Sequence, residues 1–81
     1  MTNEEMFPKI QAALSRALNV DPSKITPETS PDNLEEWDSM GHLMVIMELE
    51  TEFGISFKTD DILVITSVDL AMDFIREYLA A

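Results

Sequence analysis

The segment from Val20 to Trp37 constrains the fold of this chain more than any other part of its sequence. It holds three of the chain's four prolines among several Asp, Ser and Thr residues, so no helix or strand of ordinary length fits there. A connection of this length is unusual in a compact domain and is often functional. We expect Ile25 and Leu34 to anchor it in the core, with regular structure on either side.

A first helix is predicted before this connection. It should run from Glu4 or Glu5 to Leu18, with Pro8 in its first turn and Asn19 as its stop. A start at Asn3 would leave Pro8 beyond the first turn and require a distorted turn. Its apolar residues recur at helical spacing. They are Phe7, Ile10, Leu14, Ala17 and Leu18.

A second helix is predicted from Ser39 to Phe53, with Gly54 ending it. Its core face consists of Val45, Ile46, Leu49 and Phe53. A second apolar stripe, which we call the methionine stripe, consists of Met40, Leu43, Met44 and Met47. One core-facing stripe does not need these residues. The sequence leaves open whether a third helix covers them or whether they form an exposed binding strip.

Two more helices are predicted after a short bridge that contains Ile55 and Phe57. Thr59 is expected to cap a short helix that ends near Val64, with acids in its first turn. Thr66 and Ser67 are rival caps for the last helix, and Asp69 would complete a capping box from Thr66. The last helix should bury Val68, Ala71, Phe74, Ile75, Tyr78 and Leu79. The predicted fold is all-α, with three longer helices, a short third helix and a long first loop.

Composition limits the possible partners. The chain has 16 acidic and 5 basic residues and a formal charge of −11, which argues against nucleic acid and anionic membranes and favours basic protein surfaces. Without cysteine it forms neither disulfides nor thiolate metal sites. The N-terminus lacks a signal-peptide pattern, and no apolar run reaches the length of a membrane span. We therefore expect one cytoplasmic domain over residues 1–81, without membrane insertion.

Ser39 is the residue of greatest chemical interest. Asp38 before it is a good helix N-cap, so Ser39 should be presented on the first helical turn. His42 follows three residues later, but Trp37 stands where a nucleophile elbow needs glycine, and so small a domain has little room for a deep pocket. We expect no enzyme activity and a partly buried His42 that touches Trp37. The acids lack metal-binding spacing, so no metal site is expected either.

The run Asp38-Ser39-Met40, followed by a helix that ends in Glu50-Thr51-Glu52-Phe53-Gly54, closely resembles an acyl carrier protein. The resemblance covers nearly the whole chain and includes the long first loop and the short acidic third helix. It implies a four-helix bundle of acyl-carrier type. It also implies that a phosphopantetheinyl transferase, with magnesium, attaches 4′-phosphopantetheine from coenzyme A to Ser39. The carrier itself would catalyse nothing and would hold acyl groups as thioesters on the arm.

The resemblance also indicates the partners. They would be acyl-transferring, ketosynthase-type or ligase enzymes with basic docking surfaces, which meet a monomeric carrier. The expected contacts are Met40, Met44, Glu50, Asp60 and Asp61. Fatty-acid carriers usually have acids two and five residues after the serine, where this chain has Gly41 and Met44. The partner enzymes would belong to fatty-acid-like or specialised, polyketide-type biosynthesis, and we expect a discrete specialised carrier rather than the main fatty-acid carrier.

Two alternatives remain open at the level of the sequence. A peptidyl or aminoacyl carrier of a nonribosomal-peptide-type pathway would share the motif and differ only in cargo. An unmodified acidic interaction module would bind a basic partner through the methionine stripe, with Ser39 only adjacent to the helix cap. For a carrier, we expect an acyl chain to insert near Ser39, between the second and third helices.

Overall fold

The computed structural model describes residues 1–80, which form four α-helices and one short 3-10 helix. The elements in chain order are α1 (Asn3–Leu18), the 3-10 helix (Pro22–Lys24), α2 (Ser39–Phe53), α3 (Thr59–Val64) and α4 (Val68–Ala80). Within residues 1–80 there is no strand, and none of these helices is long and apolar enough to cross a membrane. The predicted all-α bundle with a short third helix and a long first loop is confirmed.

Helix α1 begins earlier than the sequence suggests. The Thr2 hydroxyl accepts from the Glu5 backbone N–H at 3.2 Å, and the Glu5 carboxylate accepts from the Thr2 backbone N–H at 2.9 Å. This capping box satisfies backbone groups at the helix start and fixes it at Asn3. Pro8 therefore lies inside α1 rather than in its first turn, which corrects the prediction. The predicted stop at Asn19 is confirmed by its left-handed backbone, with φ of 55°.

The long connection is held firmly to α1. Ile25 and Leu34 are buried as predicted. The Gln11 side-chain amide donates to the carbonyl oxygens of Pro22 and Ile25, at 3.1 and 3.0 Å. Buried backbone N–H and C=O groups in such a loop need side-chain hydrogen-bond partners like Gln11, because the loop has no strand pairing or helix to supply backbone partners. The connection thereby delivers Trp37 and the start of α2 to a defined place.

The cap of α3 differs from the predicted one, whereas the cap of α4 is one of the two that were predicted. Lys58, not Thr59, is the N-cap of α3, and it makes no side-chain cap hydrogen bond. At α4 the Ser67 hydroxyl accepts from the Leu70 N–H at 3.1 Å, so Ser67 rather than Thr66 is the cap. The Asp69 N–H donates instead to a carbonyl oxygen of the long connection, that of Pro27, at 3.1 Å. Tertiary contact has thus replaced the local box.

The core lies between α1, α2 and α4. Its α2 members, Val45, Ile46 and Leu49, were predicted, and Phe53 packs against them while partly buried. In α4 the buried residues are Val68, Ala71, Met72 and Ile75. Leu79 is 40% exposed, which contradicts the prediction, because it lies in the last turn, past the residues that pack on the core. Met72 takes the core position that the sequence analysis did not assign.

Candidate functional site

The start of α2 presents Ser39 to solvent. Asp38 has extended backbone, with φ of −93° and ψ of −169°, and its carboxylate accepts from the Gly41 N–H at 2.7 Å. The predicted N-cap is therefore confirmed. Ser39 is the first helical residue and its side chain is exposed. The hydroxyl thus projects from a rigid helix end rather than from a mobile loop.

His42 links three parts of the fold. The indole Nε1–H of Trp37 donates to His42 Nδ1 at 2.9 Å, and His42 Nε2 lies 2.7 Å from the carbonyl oxygen of Ile62 in α3. Since Nδ1 accepts, Nε2 carries the proton and donates to Ile62. We call this chain of two hydrogen bonds the imidazole bridge. Both ring nitrogens are engaged, so His42 has no nitrogen free to act as a base toward Ser39.

A groove with a volume of about 630 Å³ opens beside Ser39, between α2 and α3. Its lining is mainly apolar. The residues that matter here are Trp37, Ser39, His42, Leu43, Ile62 and Leu63. Ser39 stands at the edge of an apolar surface whose inner wall contains the imidazole bridge.

The methionine stripe is exposed. The exposed fractions of Met40, Leu43, Met44 and Met47 are 79%, 60%, 52% and 61%. No helix among residues 1–80 covers them, so the interpretation as core is wrong. A patch of this kind on the same helix as Ser39 is a surface available for contact with another protein.

Two of the predicted partner-contact acids are engaged inside the molecule. Glu50 accepts from the Phe57 backbone N–H at 2.8 Å, and Asp61 accepts from the Tyr78 hydroxyl at 2.5 Å. Asp60 is exposed on the first turn of α3. The five predicted contacts therefore fall into an exposed pair on α2, Met40 and Met44, and a group of acids around α3 and the end of α2.

Tyr78 replaces the missing cap of α3. Its hydroxyl donates to Asp61 and accepts from the Lys58 backbone N–H at 2.8 Å. In an ordinary capping box the third helical residue would accept directly from the N-cap N–H, and here the phenol lies between them. The hydrogen bond to Asp61 raises the pKa of Tyr78 above its usual value of 10.0. Helix α4 thereby fixes the start of α3.

Other charges are structural or dispersed. Arg16 of α1 donates to Glu48 and Glu52 of α2 at 2.8 and 2.9 Å, which ties the two helices at their surface. In the part of the chain that the structure describes, no cluster of three metal-ligating side chains is present. Neither the capping role of Tyr78 nor the contact of Ile62 with His42 is predicted from the sequence. A backbone carbonyl has no sequence signature, so only the fold reveals the second contact.

Comparison with known proteins gives one consistent result. A family model described as a phosphopantetheine attachment site matches residues 8–75. The chain is 38% identical over 81 residues to an acyl carrier protein of Rubrobacter xylanophilus, and 33% identical over 81 residues to one of Thermosynechococcus vestitus, with 100% of both chains covered in each case. It is 32% identical over 78 residues to an acyl carrier protein of Lactobacillus johnsonii, covering 96% of this chain and 98% of the relative.

Proposed function

This chain belongs to the phosphopantetheine attachment site family, and from that premise we propose that Ser39 is the residue whose hydroxyl bears the arm. The protein is an acyl carrier protein, and its 4′-phosphopantetheine is covalently attached. When bound, the arm supplies a terminal thiol on which an acyl group is held as a thioester. The chain's own task is to hold the attachment point and to present it to partner enzymes.

The observation that carries this proposal is the exposed hydroxyl of Ser39 at the first position of a capped helix. Asp38 fixes the turn through Gly41, so the hydroxyl has a constant position relative to the core. The N-terminus of a helix also favours the negative charge of a phosphodiester. The residues present therefore fit the group, since an arm at Ser39 has open solvent on one side and the groove on the other.

Partner enzymes meet this carrier on the side of α2 that bears the methionine stripe. Met40 and Met44 are one helical turn apart and supply soft, adaptable apolar contact. Asp60 and the charge of −11 attract basic docking surfaces and speed encounter at low salt. Glu50 and Asp61 add to the negative electrostatic potential of this surface, while their hydrogen bonds within the protein hold their carboxylates in place.

The cargo belongs to a specialised, polyketide-type pathway rather than to the general synthesis of fatty acids. Support comes from the two places after Ser39 where fatty-acid carriers usually have acids. One is Gly41 and the other is Met44, which is 52% exposed. Docking on this turn of α2 is therefore more apolar than electrostatic. An assay in which a complete set of fatty-acid synthase enzymes used this carrier as well as their own would overturn the assignment of pathway.

The attachment is tested by intact mass spectrometry after incubation with coenzyme A, magnesium and a broad-specificity phosphopantetheinyl transferase. The parent protein should gain the mass of one phosphopantetheine, and Ser39→Ala should gain none. Ser56→Ala removes an exposed serine from the segment between α2 and α3. It serves as the matched control and should be modified like the parent protein. Because Ser39 is exposed, Ser39→Ala should remain folded, which circular dichroism checks.

Modification of Ser39→Ala would show that another residue bears the arm. A parent protein that gains no mass with two different transferases would favour an unmodified acidic module instead. In that case a Ser39→Ala protein would keep its binding to a basic partner. Loss of that binding with Met44→Glu, but not with Ser39→Ala, would identify the methionine stripe as the functional surface.

A further inference from the structure

We propose that His42 limits how deeply the acyl cargo penetrates this carrier, so that the protein selects short acyl groups. This inference rests on the proposed attachment at Ser39. The imidazole bridge forms part of the wall of the groove beside that residue and joins the long connection, α2 and α3. An apolar chain that passes between α2 and α3 must first separate His42 from the carbonyl oxygen of Ile62.

The bridge resists this separation because every polar atom in it has a partner. Trp37 is 1% exposed, and its indole N–H donates to His42. Among residues 1–80 no buried side-chain nitrogen or oxygen lacks a hydrogen bond. Movement of α3 away from α2 would leave an imidazole N–H and a carbonyl oxygen facing alkyl groups. Such unpaired groups are costly in apolar surroundings, and an acyl chain offers them no replacement.

A second attachment holds the other end of α3. The Tyr78 hydroxyl joins the Lys58 N–H to the Asp61 carboxylate, at 2.8 and 2.5 Å. Helix α3 has only 6 residues, so these contacts and the imidazole bridge restrain it over most of its length. Opening the space behind α3 therefore requires loss of polar contacts to two different helices, α2 and α4.

The remaining place for cargo is the outer part of the groove. Leu43 of α2 and Leu63 of α3 lie on it with exposed fractions of 60% and 72%. A short acyl group that lies across these side chains leaves the imidazole bridge intact. A longer chain gains contact on one face only and stays in water on the other. The sequence suggests that the acyl chain inserts deeply between the second and third helices. His42 blocks this insertion, so the cargo lies on a shallow, selective surface instead.

The test compares acetyl, butyryl and octanoyl forms made by transfer of each acyl-phosphopantetheine from its coenzyme A thioester. Intact mass verifies loading first, so a failure of attachment at Ser39 is distinct from a failure of this inference. Burial of a methylene should raise the melting temperature of a domain this small by roughly 3–6 °C. For the wild-type protein we expect the acetyl and octanoyl forms to melt within ~3 °C of each other, less than one buried methylene provides.

The indole N–H resonance of Trp37 reports independently on whether the imidazole bridge is intact. Its assignment is unambiguous because Trp37 is the single tryptophan of the chain. Its indole N–H resonance should stay in place across the wild-type series. In His42→Leu the bridge is absent, so the octanoyl form should melt well above the acetyl form and the indole resonance should move with chain length. Val64→Ala, a truncation of a 49% exposed α3 residue that does not line the groove, should behave like wild type.

Two results would overturn the inference. One is a wild-type octanoyl form that is stabilised by the amount expected of several buried methylenes and has a displaced indole resonance. The other is a folded His42→Leu protein whose chain-length dependence equals that of wild type. If His42→Leu does not fold, the wild-type series decides the question without it.

Discussion

The backbone carbonyl oxygen of Glu36 lies 2.5 Å from the point that a Cβ would occupy at Gly41, and Leu18 Cδ2 lies 2.8 Å from the same point. The first turn of α2 therefore approaches the long connection and α1 too closely for any side chain. An acid two residues after Ser39, which fatty-acid carriers usually have, does not fit here without a shift of the backbone. Packing at this position therefore accounts for the absence of an acid at Gly41, on which the proposal of apolar docking partly rests.

Gly41→Ala should therefore destabilise the protein although alanine is the better helix former. The gain in helix propensity is at most ~1 kcal/mol, whereas overpacking costs about 1–3 kcal/mol, and a backbone oxygen cannot rotate away as a side chain can. We expect a net loss of about 1 kcal/mol in the free energy of unfolding, measured by urea titration.

Met40→Ala is the matched control for this experiment, since Met40 lies in the same turn and is 79% exposed. Its free energy of unfolding should change by no more than about 0.5 kcal/mol. A Gly41→Ala protein as stable as wild type would mean that the connection yields easily and that packing does not exclude an acid at this position.

Met44→Glu should separate docking from stability. Because Met44 is 52% exposed, the substitution should change the free energy of unfolding by about 0.5 kcal/mol or less. Ile46→Glu, two residues further along the same helix and 3% exposed, should cost about 3 kcal/mol or more, because it combines lost apolar burial with a buried charge. Urea titration of both variants measures this contrast.

Met44→Glu should also weaken the binding of partner enzymes. A rise in KM of Met44→Glu as substrate of a phosphopantetheinyl transferase or a ketosynthase-type enzyme, with kcat little changed, is the expected result. If KM stays at the wild-type value with several partners, the methionine stripe is not the docking surface.

Local signals predicted the parts of the fold that local chemistry determines. The bounds of α2 follow from Asp38 as N-cap and Gly54, with φ of 66°, as its end. The predicted start of α1 rests on Pro8 alone and leaves out the Thr2–Glu5 capping box, although both are local features. A capping box satisfies backbone donors directly, so it determines the start even when proline falls inside the helix.

Tertiary contacts account for what the sequence did not predict. Met72 and Leu79 are seven residues apart and lie on the same face of α4, but only Met72 is buried, because Leu79 lies in the last turn, past the residues that pack on the core. The contact of His42 with Ile62 uses a backbone carbonyl, which any residue would supply. The exposure of Ser39 was predicted from its place directly after the N-cap of α2, and no other element of the described residues covers it.

The tautomer of His42 provides a direct test of the imidazole bridge. In the neutral imidazole we expect the proton on Nε2 and a bare Nδ1, because the Trp37 indole N–H can only donate. Long-range proton–nitrogen correlation spectra distinguish the two nitrogens, and the chain has a single histidine, so assignment is unambiguous. Trp37→Phe removes the donor to Nδ1, but the proton should stay on Nε2, because the Ile62 carbonyl oxygen can only accept. Wild-type protein with the proton on Nδ1 would rule out the bridge as described.

The contact between Tyr78 and Asp61 predicts a specific dependence of stability on pH. The phenol donates to the carboxylate, and ionisation of the phenol would remove that hydrogen bond and place two negative charges together. The pKa of Tyr78 is therefore raised above 10.0, although the N–H of Lys58 acts in the opposite direction. The pKa of Tyr78 is higher in the folded than in the unfolded protein. The stabilisation that this hydrogen bond provides is therefore complete below pH 10.0 and is lost as the pH rises through the pKa of the folded protein.

Absorbance of the phenolate measures this directly, because Tyr78 is the only tyrosine. The titration midpoint of the folded protein should lie above 10.0, and Asp61→Asn should move it back toward that value. Urea titrations above pH 10.0 should show a loss of stability in wild type that Tyr78→Phe lacks, which separates this group from lysines that titrate in the same range. A wild-type midpoint at or below 10.0 would mean that the phenol does not hold the start of α3 in solution.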